Sequence, residues 1–532
     1  MFKPSSMDLI RAGLQDLDKA RTLFDQLKAD DIPDERCAEL LSVLAHACDP
    51  DVALSNFVDI VNAMQSSQRD LKHVIPDNNA LKRLVTVLGV SDAMGKFMRF
   101  KPQLVEAAAV DNCNSHLFNH TQRRARLLKA VGTDPDEPAM PVASKDLAEA
   151  ATALRSSYRN QLAAIIAQDA VADDPTSIQP TISRELSDLA DAALEGALAI
   201  ARHETEGSEH VRFTIIGMGK LGAQELNYVS DVDLIYVVEP VDKDVDHQTL
   251  IRVGTKMGTM LQRVCQSAIM GVAEQPLWQI DGGLRPEGKN GPLVRSYASC
   301  EEYYESWAST WERQALLRAR YAAGDAELAR DFLINIADPL RYPTTELTEA
   351  ELQNIRKLKA RMEAERLPRG VRRERHLKLG KGGLSDVEWT VQLMQLQHAS
   401  DIKDLRVNGT LEALDVLEAK KLISAIDAIQ LRKAWTLCTA ARNGNYLWSG
   451  RANQADILPD DIYSLGGIAV YLGYGAHRGQ HFENDLLAVM RKCRDVCQRL
   501  FYGQVDEDSQ SGGTRMHVLA PRLEHNRRLA QR

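Results

Sequence analysis

Two aspartates separated by one residue, Asp231 and Asp233, stand at the mouth of a short apolar run, VDLIYVV from Val232 to Val238. In extended backbone, residues i and i+2 share a face, so both carboxylates are expected to project together. Two like charges at a buried strand end are costly unless a cation neutralises them. Hard oxygen ligands at this spacing suit Mg²⁺, which completes its octahedron with water and substrate phosphates. Upstream, Gly217-Met218-Gly219-Lys220 follows a second apolar run, VRFTII from Val211 to Ile216. Such a turn can offer backbone N–H groups to phosphates at the start of a helix. A third carboxylate on an adjacent strand would complete a two-metal clamp, one ion activating a nucleophile and the other holding a leaving pyrophosphate. Asp281, closing the run LWQID, is the candidate.

A dinucleotide site competes with this reading. Gly217, Gly219 and Gly222 satisfy G-x-G-x-x-G after a strand, and Glu239 stands near the ribose-acid position. The helix available between Gly222 and Ser230 is too short for a parallel crossover, and no further strand–helix alternation follows. A D-x-D pair alone is also what a helix cap beside a solvated strand-end aspartate would give. The glycine turn, the strand and the later aspartate together favour the metal reading.

The full string G-M-G-K-L-G-x-x-E-L-N-Y-x-S-D-x-D, from Gly217 to Asp233, resembles the signature of the glutamine synthetase adenylyltransferase / adenylyl-removing enzyme family. These are DNA polymerase β-like nucleotidyltransferases. The resemblance continues through Asp281-Gly-Gly-Leu-Arg285-Pro-Glu-Gly-Lys289, through Tyr303 to Arg320, and through Lys378-Leu-Gly380-Lys-Gly382-Gly383-Leu-Ser-Asp386-Val-Glu388-Trp. It implies that Asp231, Asp233 and Asp281 are metal-binding catalytic carboxylates, with two Mg²⁺ ions expected. It implies that Gly217, Gly219 and Ser230 contact nucleotide phosphates, and that Arg285 and Lys289 place positive charge near the transferring group. Lys220, Glu225 and Asn227 would shape the turn or touch ligand.

The implied reactions are transfer of AMP from ATP to a tyrosine of glutamine synthetase, and its removal by phosphate with release of ADP, in the control of nitrogen assimilation. Glutamine synthetase is then the protein substrate, and a PII-type signal protein a further partner. The alternative is a catalytically idle regulatory module that binds nucleotide or glutamine synthetase. Two departures stand out. Many members carry Arg where this chain has Gly283, and members usually contain two nucleotidyltransferase units, each a glycine turn followed by D-x-D, where this chain has one. The lead-in and NYVSDVD look like the first, adenylyl-removing unit, whereas Asp338–Gly503 looks like the domain closing the second. The chain is therefore expected to join two halves of a longer ancestor.

The elements that must position these residues read as α+β, predominantly α-helical, with a small mixed-sheet nucleotidyltransferase core flanked by helical domains. Residues 1–144 form a helical region punctuated at Ile32-Pro33-Asp34, Asp49-Pro50-Asp51 and Ile75-Pro76-Asp77. GTDPDEPAMPVAS (132–144) reads as a linker. Residues 145–335 form the nucleotidyltransferase domain, with its core at about 206–330 and helices over 145–170, 182–206 and 246–268. Tyr303, Trp307 and Trp311 step by four and predict one helix burying an aromatic stripe. Residues 336–503 form a C-terminal helical domain, and 504–532 a polar, flexible tail.

Composition narrows the function classes. The 532 residues carry 65 Lys plus Arg against 74 Asp plus Glu, a net of −9, so a nucleic-acid-coating role is not expected. Eight cysteines without C-x-x-C suggest thiols in a reducing compartment rather than a zinc or redox site. The N-terminus lacks a secretory pattern and no apolar run is long enough for a membrane span, so a cytoplasmic protein with no membrane partner is expected. Segment 351–382 departs from the average, with eleven Lys/Arg against four Glu. It reads as a solvated face, a phosphate-facing wall or a docking surface.

Overall fold

The computed structural model describes residues 2–67, 74–109, 119–136 and 140–503; the tail expected at 504–532 and part of the 132–144 linker lie outside these. The N-terminal helices begin where their caps fall. Asp49 accepts from the Val52 amide at 3.0 Å ahead of Pro50–Ser66, whose first residue is proline, and Asp77 accepts from the Ala80 amide at 2.8 Å ahead of Asn78–Val90. The linker is pinned at its ends: Thr133 Oγ1 donates to the Val142 carbonyl at 2.9 Å, and the Ala143 amide to that of Ala199 at 3.0 Å.

Among the described residues the sheet has five strands: β1 Val211–Gly217, β2 Val232–Pro240, β3 Ile280–Asp281, β4 Val294–Ser296 and β5 Arg320–Gly324. β2 is central. It runs antiparallel to β1 and parallel to both β3 and β4, while β5 closes the far side antiparallel to β1. An antiparallel β1–β2 pair joined through the four-residue helix Gly219–Gly222 is incompatible with a dinucleotide-binding crossover. Both faces of the sheet are covered. Leu234, Tyr236 and Val238 pack with helices Leu147–Ala170, Gln179–His203 and His247–Gln266, while Ile235 and Val237 pack with Tyr304 and Phe332. Burial on both faces is why VDLIYVV is continuously apolar.

The aromatic stripe is not one helix. Tyr297–Trp307 ends at Ala308, and Thr310–Leu316 begins anew behind Ser309, whose side chain pairs reciprocally with Glu312 in a capping box. Trp307 is consequently 74% exposed, and Tyr304 is the ring that enters the core. Strands β4 and β5 were not expected; Arg320-Tyr-Ala-Ala-Gly324 has no β-branched residue and pairs because β1 offers it an edge.

One core joins the chain's extremes. Residues from Leu9 to Ala109 share a continuous apolar cluster with residues from Leu377 to Phe501. Cys265, Cys300, Cys438, Cys493 and Cys497 are buried free thiols. Among the described residues, no helix is long and apolar enough to cross a membrane.

Candidate active site

Asp233 and Asp281 are register partners on the adjacent parallel strands β2 and β3, so their side chains leave the sheet side by side on one face. Burial, then Asp281, pushes the Asp233 carboxyl up to about 7; Lys378 and Arg366 pull the other way, and Asp231 adds to the rise. Two carboxylates crowded at a half-buried strand edge are what a divalent cation would neutralise. Asp231 precedes β2 and is exposed, at the lip of the site. It lies close enough to act on Asp233, but among the described residues no three carboxylate, imidazole or thiol groups close into a ready metal cage. The donor set therefore fits a cation held by Asp233 and Asp281, with Asp231 outside the pair as it stands.

The glycine turn is built against this pair. The Met218 amide donates to the Asp233 carbonyl at 2.9 Å. Gly219 has φ +51°, and a Cβ there would stand 2.3 Å from Asp233 Oδ2. Gly222 admits no side chain either, since a Cβ would lie 1.7 Å from the Arg318 carbonyl oxygen. Gly219→Ala should thus displace the Asp233 carboxylate and force a left-handed alanine. A loss of ~10²-fold or more in turnover is expected for a change that costs the fold only about 1–2 kcal/mol. Steady-state kinetics beside a thermal melt checks it.

Gly217 ends β1, buried beneath the turn. Ser230 faces its own loop, its hydroxyl accepting from the Asn227 amide at 3.2 Å. Arg285 is turned onto the carbonyls of the 282–292 loop: Nη1 donates to Gly282 at 2.6 Å, Nη2 to Gly291 at 2.9 Å and Lys289 at 3.1 Å, and Nε to Pro292 at 3.0 Å. In this arrangement it shapes the loop after Asp281. Gly283 donates its amide to Asp281 Oδ1 at 2.7 Å, and a Cβ at Gly283 would meet that oxygen at 2.9 Å and Lys289 Cε at 3.3 Å. The Lys289 stem thus occupies space that a side chain at 283 would need, beside Asp281.

Lys220, Glu225 and Asn227 bind the site to the C-terminal helices. Lys220 Nζ donates to Asn227 Oδ1 at 2.8 Å, and Arg442 donates to the same oxygen. Asn227 Nδ2 reaches Asn443 Oδ1 at 2.9 Å. Burial, with Arg442 beside it, pulls the Lys220 amine well below its ordinary range, and Glu388 and Glu225 oppose that fall. Burial raises Glu225 against the pull of Arg318; its carboxylate accepts from the Thr410 amide, and from the Thr410 hydroxyl at 2.9 Å. Tyr228 donates to Asp169 Oδ2 at 2.7 Å, beneath the loop that carries Asp231. Arg442, Asn443 and Thr410 were missed from the sequence, because nothing local marks a contact made across some two hundred residues. Lys378 and Arg366 had a signal in the charge of 351–382.

A small mixed sheet with paired carboxylates beside a glycine turn, backed by helices, is the working unit of a nucleotidyltransferase. Residues 81–335 match the family model described as glutamate-ammonia ligase adenylyltransferase, and residues 353–501 match that of the GlnD PII-uridylyltransferase. A bifunctional glutamine synthetase adenylyltransferase/adenylyl-removing enzyme of Bifidobacterium longum (strain DJO10A) is 47% identical over 1072 residues, in an alignment covering 100% of both chains. Because 532 residues are laid across those 1072 positions, about half of them have no counterpart here. The like-named Streptomyces coelicolor enzyme is 38% identical over 476 residues, 87% of this chain and 46% of the relative, and that of Mycolicibacterium smegmatis is 35% identical over 468 residues, 87% and 45%. Against those two, the chain spans about half the relative's length. The chain belongs to the glutamine synthetase adenylyltransferase/adenylyl-removing enzyme family.

Proposed function

We propose that this chain is a Mg²⁺-dependent nucleotidyltransferase acting on glutamine synthetase. It moves AMP from ATP to a tyrosine, removes it by phosphorolysis, or does both. The observation that carries this reading is the in-register pairing of Asp233 with Asp281 against the Cβ-intolerant Gly219. Asp233 and Asp281 would hold the metal, with Asp231 joining from the lip, and two ions are the expected number. Bound there, Mg²⁺ supplies positive charge to the phosphoryl oxygens and to the leaving group.

The chain's own groups do the rest. The Gly217–Lys220 turn positions the nucleotide against Asp233, and Lys289 places a cation beside Asp281. In the forward direction the tyrosyl oxygen bonds to the α-phosphorus, the bond to the β-phosphate oxygen breaks, and pyrophosphate leaves. In the removing direction a phosphate oxygen bonds to the same phosphorus, the bond to the tyrosyl oxygen breaks, and ADP leaves with the tyrosine restored. Both directions use one constellation, so direction is set by how the acceptor docks.

The end-to-end alignment over 1072 positions supports the reading that a single unit here joins the outer parts of a two-unit relative. The match of residues 353–501 to a PII-uridylyltransferase model supports a PII-type protein as a partner. Incubation with glutamine synthetase, Mg²⁺ and α-labelled ATP should label the synthetase, or phosphate should release labelled ADP from the pre-adenylylated form. Nucleotide or synthetase binding without either reaction would establish the idle-module alternative instead.

A further inference from the structure

The basic segment 351–382 divides by what its cations touch. Most are tied into the fold: Lys359 is buried against Glu363 and Asp386, Arg375 against Glu483, and Arg356 donates to the Phe501 carbonyl at 2.8 Å. Lys378 and Arg366 are different. Among the described residues neither has a side-chain hydrogen bond or an ion-pair partner, and both lie within electrostatic reach of Asp233. Arg366 is exposed at the end of its helix, whereas Lys378 is half-buried.

The backbone beneath Lys378 is rigid. His376 Nδ1 accepts from the amides of Lys378 at 3.3 Å and Leu379 at 3.1 Å, and the Ser385 amide donates to the Lys378 carbonyl at 2.9 Å. Gly382 has φ +77°, and a Cβ there would lie 1.7 Å from the Met490 carbonyl oxygen. The turn is also bonded to the catalytic loop. Leu377 donates its amide to the Asp456 carbonyl at 2.8 Å, the Asp456 carboxylate accepts from Arg442, and Arg442 donates to Asn227. Lys378 therefore holds a fixed position relative to Asn227–Asp233. Lys220 lies within electrostatic reach of Arg442 and Lys378, with Glu388 and Glu225 in the same neighbourhood, and Lys378 in turn reaches Asp233, so cationic groups gather near the carboxylate pair. An ammonium with three donors and no acceptor is suited to a polyanion seated between these two groups. Arg285 does not compete for that position, because its guanidinium is engaged by its own loop.

We propose that Lys378, delivered by the C-terminal helical segment, binds the β- and γ-phosphates of a nucleoside triphosphate across from the Gly217–Lys220 turn. This rests on the nucleotidyltransferase reading and adds that the two segments share one nucleotide site. A phosphate-binding lysine is felt only by ligands that carry the phosphates it touches; a structural lysine is felt by all of them.

Calorimetric titration of the full chain with ATP, tripolyphosphate and AMP, each with Mg²⁺, tests this. Lys378→Ala should weaken ATP and tripolyphosphate by about tenfold or more, leave AMP within about twofold, and melt as wild type does. Lys378→Arg should recover most of the loss, and in turnover the KM for ATP should rise more than kcat falls. Equal weakening of ATP and AMP, or unchanged ATP binding in the alanine variant, overturns the proposal while leaving the nucleotidyltransferase reading intact. Failure of the wild-type chain to bind ATP overturns the proposal together with the adenylylating direction, and leaves phosphorolysis to be judged by its own assay.

Discussion

Asp233→Asn should abolish adenylyl transfer in either direction, by ~10³-fold or more, while leaving the metal-free protein at least as stable as wild type. The two halves of this expectation share one cause. In the folded chain burial and Asp281 hold the Asp233 carboxyl up at about 7, whereas in the unfolded chain it titrates near an ordinary ~3.9. Raising a carboxyl's pKa on folding means that the ionised form is disfavoured in the native state. The penalty is absent at pH values below the unfolded pKa, grows as pH rises between the two, and is complete above about 7. Asparagine removes the charge and hence the penalty. The variant's advantage in metal-free melts should be absent at pH 3, small at pH 4 and at most about 4 kcal/mol at pH 8. Millimolar Mg²⁺ should raise the wild-type midpoint and leave the variant's unchanged. A variant that melts lower than wild type in metal-free buffer at pH 8 would show that Asp233 is a structural anchor.

The second large effect belongs to Asn227. Its Oδ1 accepts from both Lys220 and Arg442, and its Nδ2 reaches Asn443, all in a region where Asn227 itself is buried. Asn227→Leu fills the space with carbon and leaves the buried Lys220 amine and Arg442 guanidinium without their shared acceptor. Breaking a buried charged hydrogen-bond network costs ~2–4 kcal/mol. The damage should be local before it is global: the backbone N–H of residue 227, which leucine keeps, donates to Ser230 Oγ just ahead of Asp231, so a displaced residue 227 carries that loop with it. Hydrogen exchange should therefore quicken at 227–231 and in the 376–384 turn together, and turnover should fall with them. Adding Lys220→Met should recover part of the stability by removing one of the two buried donors left without an acceptor. Wild-type exchange rates in the single variant would separate the nucleotidyltransferase sheet from the C-terminal helices energetically.

The parts of this arrangement that were legible in the sequence are those whose causes are local. VRFTII and VDLIYVV read as strands because a strand covered on both faces must be apolar throughout. Asp281 could be paired with Asp233 because it ends a short apolar run, and the structure sets the two in register. The break after Trp307 was also local: Ser309 and Glu312 carry the capping-box spacing, which outweighs a four-residue aromatic step. What could not be read depends on tertiary partners. The three-residue β4 exists only because β2 offers it an edge, and β5 because β1 does. The common core of Leu9–Ala109 with Leu377–Phe501 has no local signature, since each helix shows an apolar stripe but not its partner. Lys378 had a signal in the charge of 351–382, but nothing local showed that it comes within reach of Asp233.

On the proposed function, Asp233 and Asp281 run nucleotidyl transfer on a protein tyrosine. Intact-mass spectrometry of the glutamine synthetase subunit tests it most directly, after incubation with the wild-type chain or with Asp233→Asn. The wild-type chain should add one adenylyl group per subunit with ATP and Mg²⁺, or remove one with phosphate and Mg²⁺, and the variant should do neither. An unchanged subunit mass with the folded, nucleotide-binding wild-type chain in both incubations, or an equal change with the variant, would contradict it.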